Sequence, residues 1–138
     1  EGEHGLGQLA AARGDNNQAL MHLQAAVRLS PTDEKIRNDL GVVYLNQLKL
    51  DKAKFQFLTA IELKQSDSLA ALNMVTLLIY QDDWTHAAEL VSRAGLTPDQ
   101  VSDAQARAEK LKSAPGSSPI KGEKVAVVTD TVVTGRQP

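Results

Sequence analysis

The feature that most constrains this chain is that it matches itself at an offset of 34 residues. Ala19 falls on Ala53 and Ala87, Ala26 on Ala60 and Ala94, and Leu23 on Phe57 and Val91. Ala10, Tyr44 and Leu78 share a column, as do Leu29 and Leu63, and Leu6-Gly7 meets Leu40-Gly41 and then Met74-Val75. One coincidence of this kind is cheap, but six columns in register are not. A period of this length marks a supersecondary unit that buries its apolar face only by stacking on its neighbours.

Each period holds two helical stretches. Leu40, Tyr44 and Leu48 recur one turn apart with Val43 beside them. After a turn at Leu48-Lys49-Leu50-Asp51, helical spacing resumes through Ala53, Phe57, Ala60, Ile61 and Lys64. The same alternation predicts helices near 3–13 and 16–29, and again near 68–81 and 84–94. Gly14-Asp15-Asn16 and Asp82-Asp83 punctuate the outer hairpins, and Ser30-Pro31-Thr32-Asp33 stops one helix and caps the next. Gly41 inside a helix costs about 1 kcal/mol relative to alanine, which a sequence tolerates where a neighbouring backbone approaches closely. Ala53 and Ala60 keep the second helix thin and leave Phe57 and Tyr44 to fill the space between.

Leu40-Gly41-x-x-Tyr44, then Ala53, Phe57 and Ala60, with Pro31 closing the previous unit, resembles the tetratricopeptide repeat. The resemblance covers about residues 3–94 and is cleanest in the middle unit. It implies an all-α fold, a right-handed superhelical stack of about three helical hairpins plus a C-terminal capping helix. Arg37 stands where that family has a large aromatic, and Gln65 where it has a closing proline. Met74-Val75 replaces Leu-Gly, so the third hairpin is expected to be splayed or shifted.

Thr97-Pro98-Asp99-Gln100 reads as a capping box with proline at the first helical position, and Gly95 closes the helix before it. A seventh helix is therefore expected to about Lys112, with a thin apolar stripe of Val101, Ala104, Ala108 and Leu111 laid on the last hairpin. The repeat domain then occupies 1–112, with units at about 1–31, 32–65 and 66–95 and the capping helix at about 97–112. A flexible tail over 113–138 opens with Ser-Ala-Pro-Gly-Ser-Ser-Pro and carries a β-prone run at 125–133. That run reads either as part of a disordered tail or as a strand added to a partner's sheet edge.

Charge and composition narrow the function. Fifteen basic against 17 acidic residues give a net charge of −2, which offers no electrostatic case for nucleic acid or an anionic membrane. There is no cysteine, so disulfides and thiolate metal sites are excluded. No run of about eighteen apolar residues is present to span a bilayer. The first residues, Glu1-Gly2-Glu3, lack a methionine, so a processed or trimmed N-terminus is expected, which leaves open a signal peptide or lipid-attachment cysteine upstream.

Candidates for chemistry are weak. His4, His22 and His86 lie far apart and have no helical metal-site spacing, so they read as solvated or partly packed. Asp15-Asn16-Asn17 lacks the glycine and final glutamate of a calcium loop and reads as a turn. Trp84 shares a column with Leu50 and reads as packing. No phosphate loop and no nucleophile–base signature occurs, so no catalysis, no metal and no cofactor is expected.

The first helix of each hairpin lines the concave face of such a stack. By repeat phase the groove is expected to present His4, Gln8, Ala11 and Ala12 in the first unit. The second contributes Lys35, Asn38, Asp39, Val42, Leu45 and Asn46, and the third Leu69, Leu72, Asn73, Thr76, Ile79 and Tyr80. For Ile79 and Tyr80 the other reading is packing against the capping helix. Tetratricopeptide domains that hold chaperone C-termini use a lysine and asparagine, an asparagine, then a lysine and arginine. The matching positions here are His4, Gln8, Asp39, Leu69 and Asn73, so a free acidic C-terminus is not the expected ligand. An amphipathic helix or extended apolar segment suits the groove better, with Leu45, Leu72 and Tyr80 as anchors.

A narrower resemblance rests on Arg37-Asn38-Asp39-Leu40-Gly41, Thr59-Ala60-Ile61-Glu62-Leu63, Asn73-Met74-Val75-Thr76-Leu77-Leu78 and Arg93-Ala94-Gly95-Leu96. These are similar to the TadD-type lipoproteins of bacterial tight-adherence (Flp) pilus loci. The resemblance implies a pilotin-like accessory factor binding the outer-membrane secretin from the periplasm. The alternatives are a cytoplasmic adaptor or co-chaperone and a regulatory subunit of an enzyme complex.

Overall fold

The computed structural model describes residues 2–113. Among them the chain forms seven helices: α1 (Glu3–Ala12), α2 (Asn16–Leu29), α3 (Glu34–Asn46), α4 (Leu50–Leu63), α5 (Ser68–Tyr80), α6 (Trp84–Ala94) and α7 (Pro98–Ser113). They pair as three antiparallel hairpins, α1–α2, α3–α4 and α5–α6, each stacked on the next, so the described residues form an all-α hairpin stack. The tail expected beyond Ser113, including the run at 125–133, lies outside the described residues.

Local chemistry starts the helices. The carboxylates of Asp15, Asp33, Asp67 and Asp83 each accept a backbone N–H from the first turn of the helix they precede. At α7 the capping box is reciprocal: Gln100 N donates to Thr97 Oγ1 (3.1 Å) and Thr97 N to Gln100 Oε1 (2.9 Å). Gly95 ends α6 at φ 67°, the left-handed conformation in which only glycine has no Cβ penalty.

The turn inside each hairpin is the same object three times. Gly14, Leu48 and Asp82 all have positive φ (79°, 59° and 59°). After each, a backbone N–H reaches back to a first-helix carbonyl: Asp15 to Ala10, Lys49 to Tyr44 and Asp83 to Leu78, at 2.8–2.9 Å. The period is therefore written into the backbone as well as the core.

The core follows the repeat columns. Ala19, Leu23, Ala53, Phe57 and Ala60 are fully buried, and Leu40, Val43 and Tyr44 close over them. At Gly41 a Cβ would stand 2.5 Å from Phe57 Cε1, and at Gly7 one would stand 2.6 Å from Leu23 Cγ. The glycine thus makes room for a large side chain opposite, where the sequence suggested a neighbouring backbone. In the third unit the column reads Val75 opposite Val91. Val75 is buried and Val91 only half-buried, and α5 and α6 approach each other less closely than the helices of the first two hairpins. A β-branched residue in the glycine column holds the third pair apart, which is the expected splay.

Helix α7 continues the register of the first helices. Ala104, Ala108 and Leu111 fall one period after Ala70, Met74 and Leu77, themselves one period after Ile36, Leu40 and Val43. Small residues replace large ones at the first two positions, and α7 closes tightly on α5 while making little contact with α6. The cap therefore leans on one helix of the last hairpin rather than on both.

Candidate functional site

Helices α1, α3 and α5 line one face of the stack, and α7 lies along its end against α5. Polar side chains cross from helix to helix along this face. His4 Nε2 lies 2.6 Å from Asp39 Oδ2, and Gln8 Nε2 donates to the same oxygen at 3.0 Å, joining α1 to α3. Asn73 Nδ2 donates to Asn38 Oδ1 (2.9 Å), joining α5 to α3 while both side chains are buried. Arg107 on α7 completes the row: its Nη1 donates to Asn73 Oδ1 (3.3 Å) and its Nη2 to Asn46 Oδ1 (3.2 Å). Burial lowers the pKa of the Arg107 guanidinium below its usual value.

The expected groove residues divide into three groups. Lys35, Asn46 and Leu69 are exposed, and Asp39, Val42, Leu72 and Tyr80 are half-buried, so these seven reach the surface. Asn38 (4%) and Asn73 (6%) are buried as cross-links between helices. Leu45 (0%), Thr76 (1%) and Ile79 (3%) are core residues, and the expectation that they line an open groove is corrected. The reason for Thr76 and Ile79 is that α5 is enclosed on nearly every side, with α7 laid against it. Leu45 points into the seam of the stack and cannot serve as an anchor for a partner. Tyr80 is partly covered too, and burial raises its pKa, with Lys112 acting in the opposite sense.

One other reading changes. Trp84 is not packed away: it is 51% exposed at the mouth of an apolar cleft of about 320 Å³. Val75, Ile79 and Val91 line the cleft from the third hairpin, and Val101 from α7. The histidines are solvated or partly packed, as expected, and each pairs with a carboxylate. His22 Nδ1 lies 2.7 Å from Glu3 Oε1, tying α2 to α1, and His86 Nδ1 lies 2.8 Å from Asp83 Oδ2 at the start of α6. The His86 contacts hold the exposed Asp83 carboxyl below the usual carboxylate range. No three His, Cys, Asp or Glu side chains come together as a metal set among the described residues.

Arg107 is the residue that sequence reasoning missed. It falls in the column of Asp39 and Asn73, one period beyond Asn73, so carrying the register into the cap would have found it.

Comparison with known proteins agrees with this architecture. Residues 7–47 match the family model described as TPR repeat. A TPR repeat-containing protein of Pseudomonas aeruginosa is 39% identical over 128 residues, which is 91% of this chain and 52% of the relative. The chain thus spans about half the length of the curated relative it matches. Among solved structures, the TPR2B domain of yeast Sti1, in a complex with pHsp70, superposes with a TM-score of 0.69 at 14% identity. That match covers 78% of this chain and 94% of the domain, and the likeness is one of fold. The described residues form a stack of hairpins with the tetratricopeptide architecture, and residues 7–47 carry the match to the repeat itself. Stacked units of this kind present their first helices as one continuous surface.

Proposed function

We propose that the chain holds a segment of another protein against the face formed by α1, α3, α5 and α7, as an accessory factor of tight-adherence pilus assembly that binds the outer-membrane secretin from the periplasm. The observation carrying the binding role is the face itself: a polar row fixed by inter-helix hydrogen bonds, with half-buried Val42 and Leu72 and exposed Leu69 beside it. Apolar side chains on a preorganised surface are what a partner segment needs to dock without an ordering cost on the scaffold side. The assignment to pilus assembly draws on the four stretches at 37–41, 59–63, 73–78 and 93–96.

The test is site-specific photo-crosslinking in the native host, with the photoreactive residue at position 42 or 72 of the full-length protein. A crosslink to the secretin or another pilus-assembly component is the expected result, in a periplasmic, outer-membrane-associated fraction. Crosslinks to a cytoplasmic client in a cytoplasmic fraction would instead establish the adaptor or co-chaperone reading. Crosslinks only from the outer face, at Phe55 for example, would move the binding surface.

A further inference from the structure

On the described residues, Arg107 is a half-buried cation that meets no carboxylate. Its two hydrogen bonds both go to neutral amide oxygens, those of Asn73 and Asn46, at 3.3 and 3.2 Å. A guanidinium carries five N–H donors, so most of its hydrogen-bonding capacity is unspent. A charge taken out of water is costly unless an opposite charge meets it. Burial depresses its pKa, and no acidic neighbour counters that effect. If Arg107 served only to fasten α7 to α3 and α5, a neutral amide donor would make both bonds without the desolvation cost.

The surroundings point the same way. Arg107 opens into a cleft of about 600 Å³ lined by Asn46, Ala106, Arg107, Lys110 and Leu111. Lys110 lies three residues along α7, on the same helix face, and adds a second positive charge. Among the described residues no acidic side chain lines this cleft, although the whole chain carries a net charge of −2. Leu111 and Ala106 place apolar surface beside the two cations. Asp39, the acid in the polar row, is already engaged by His4 and Gln8.

We infer that the Arg107–Lys110 cleft, backed by the Asn46 and Asn73 amides, is a carboxylate-binding subsite that takes an Asp or Glu side chain flanked by apolar residues on the partner segment. This rests on the α1/α3/α5/α7 face being the binding surface. A planar guanidinium matches a carboxylate in bidentate geometry, and it does so best where water is already thinned by burial. A side chain, rather than a chain terminus, is the source favoured here, because Ala106 and Leu111 set apolar surface beside the cations, which apolar residues flanking an Asp or Glu within a partner segment would cover.

The experiment uses three fluorescent, N-acetylated peptides and the intact protein. One alternates Glu with Leu and is C-amidated; the second replaces each Glu by Gln; the third is the Gln peptide with a free C-terminal carboxylate. Binding is read by anisotropy against wild type, Arg107→Gln, Arg107→Lys and Arg93→Gln, a cation on α6 away from the cleft. The Glu peptide is expected to bind wild type, at least about tenfold more tightly than Arg107→Gln and than either Gln peptide does. Arg107→Lys is expected to fall between the two, keeping the charge without the fork. Circular dichroism checks that the variants keep their helices. For wild type itself, the Arg107 Nε–H signal should shift saturably with the Glu peptide. Equal losses for Arg93→Gln and Arg107→Gln would reduce the effect to general charge and overturn the site. So would equal binding of the Glu and amidated Gln peptides, or a lack of binding by all three. Preference for the free-acid Gln peptide over the Glu peptide would overturn the side-chain assignment. These outcomes bear on the carboxylate alone; crosslinking from positions 42 and 72 decides separately whether the face binds a partner.

Discussion

The first two hairpins and the C-terminal third of the domain use the same register with different side chains, and they pack differently as a result. In α1–α4 a glycine faces a large side chain: Gly7 meets Leu23 and Gly41 meets Phe57, each too close to admit a Cβ. Leu23 and Phe57 are fully buried as a result. In α5–α6 the glycine has become Val75 and the large partner Val91, and α7 brings Ala104 and Ala108 to positions held by Ile36 and Leu40 two periods earlier. The pair packs less closely, the cap closes mainly on α5 with Arg107 reaching α3, and clefts remain beside Trp84 and beside Arg107. The lesson is that a repeat sets where helices go, while the sizes in one column decide whether the space between them is closed or left for something else.

The sharpest way to break this comparison is to empty the same column in both halves. Phe57→Ala removes a fully buried ring and is expected to cost about 3–5 kcal/mol. Val91→Ala, at a half-buried position beside an existing cleft, should cost less than about 1.5 kcal/mol. Urea denaturation of both variants measures the gap, and equal losses would mean that the third hairpin is packed as tightly as the second. Overfilling probes the opposite column. Gly41→Leu must displace the Phe57 ring and is expected to lose about 2–3 kcal/mol, seen as a lower melting temperature. Val75→Leu, with the Trp84 cleft to expand into, should lose clearly less.

A smaller effect sharpens the part that the two regions share. Leu48 adopts a positive φ that disfavours a non-glycine side chain by about 1–2 kcal/mol, at the position where the first hairpin has Gly14. Leu48→Gly is therefore expected to be neutral to stabilising by about 1 kcal/mol, part of the gain being offset by lost contacts of a half-buried leucine. Asp82→Gly should gain less, since aspartate tolerates this conformation better and the change removes the 3.1 Å contact with Lys112 Nζ. The smallest expected effect is a pH dependence at the start of α6. Contacts from His86 lower the Asp83 pKa, so whatever Asp83 adds to stability is present above the ordinary carboxylate range and lost as pH falls through its depressed value. An NMR titration should place Asp83 below the ordinary aspartate value, and Asp83→Asn should remove this dependence.

Much of the fold was legible because its signals are local or periodic. The Asp33 cap, the Thr97/Gln100 capping box, the Gly95 stop and the 34-residue columns each depend on residues within one helix or at a fixed offset, and all appear as expected. The candidate site was legible in part. Phase alone predicted that Asp39, Val42, Asn46 and Leu72 reach the surface on the first helices, and they do, because helical geometry decides which way a side chain points. It failed for Leu45, Thr76 and Ile79 because burial depends on what lies on top, and the angle at which α7 meets α5 is not encoded in any single period.

The sequence by itself determined the hairpins, their order and the turn between each pair, since caps, small-residue columns and positive-φ turns act over a few residues or one repeat. Only the tertiary structure decided that α7 leans onto α5, that Arg107 enters the row of Asn38 and Asn73, and that Trp84 stays at the edge of an open cleft. The physical reason is that these outcomes turn on how far two helix axes can approach. That distance is a sum over several side-chain volumes from separate units, none of which carries the answer alone.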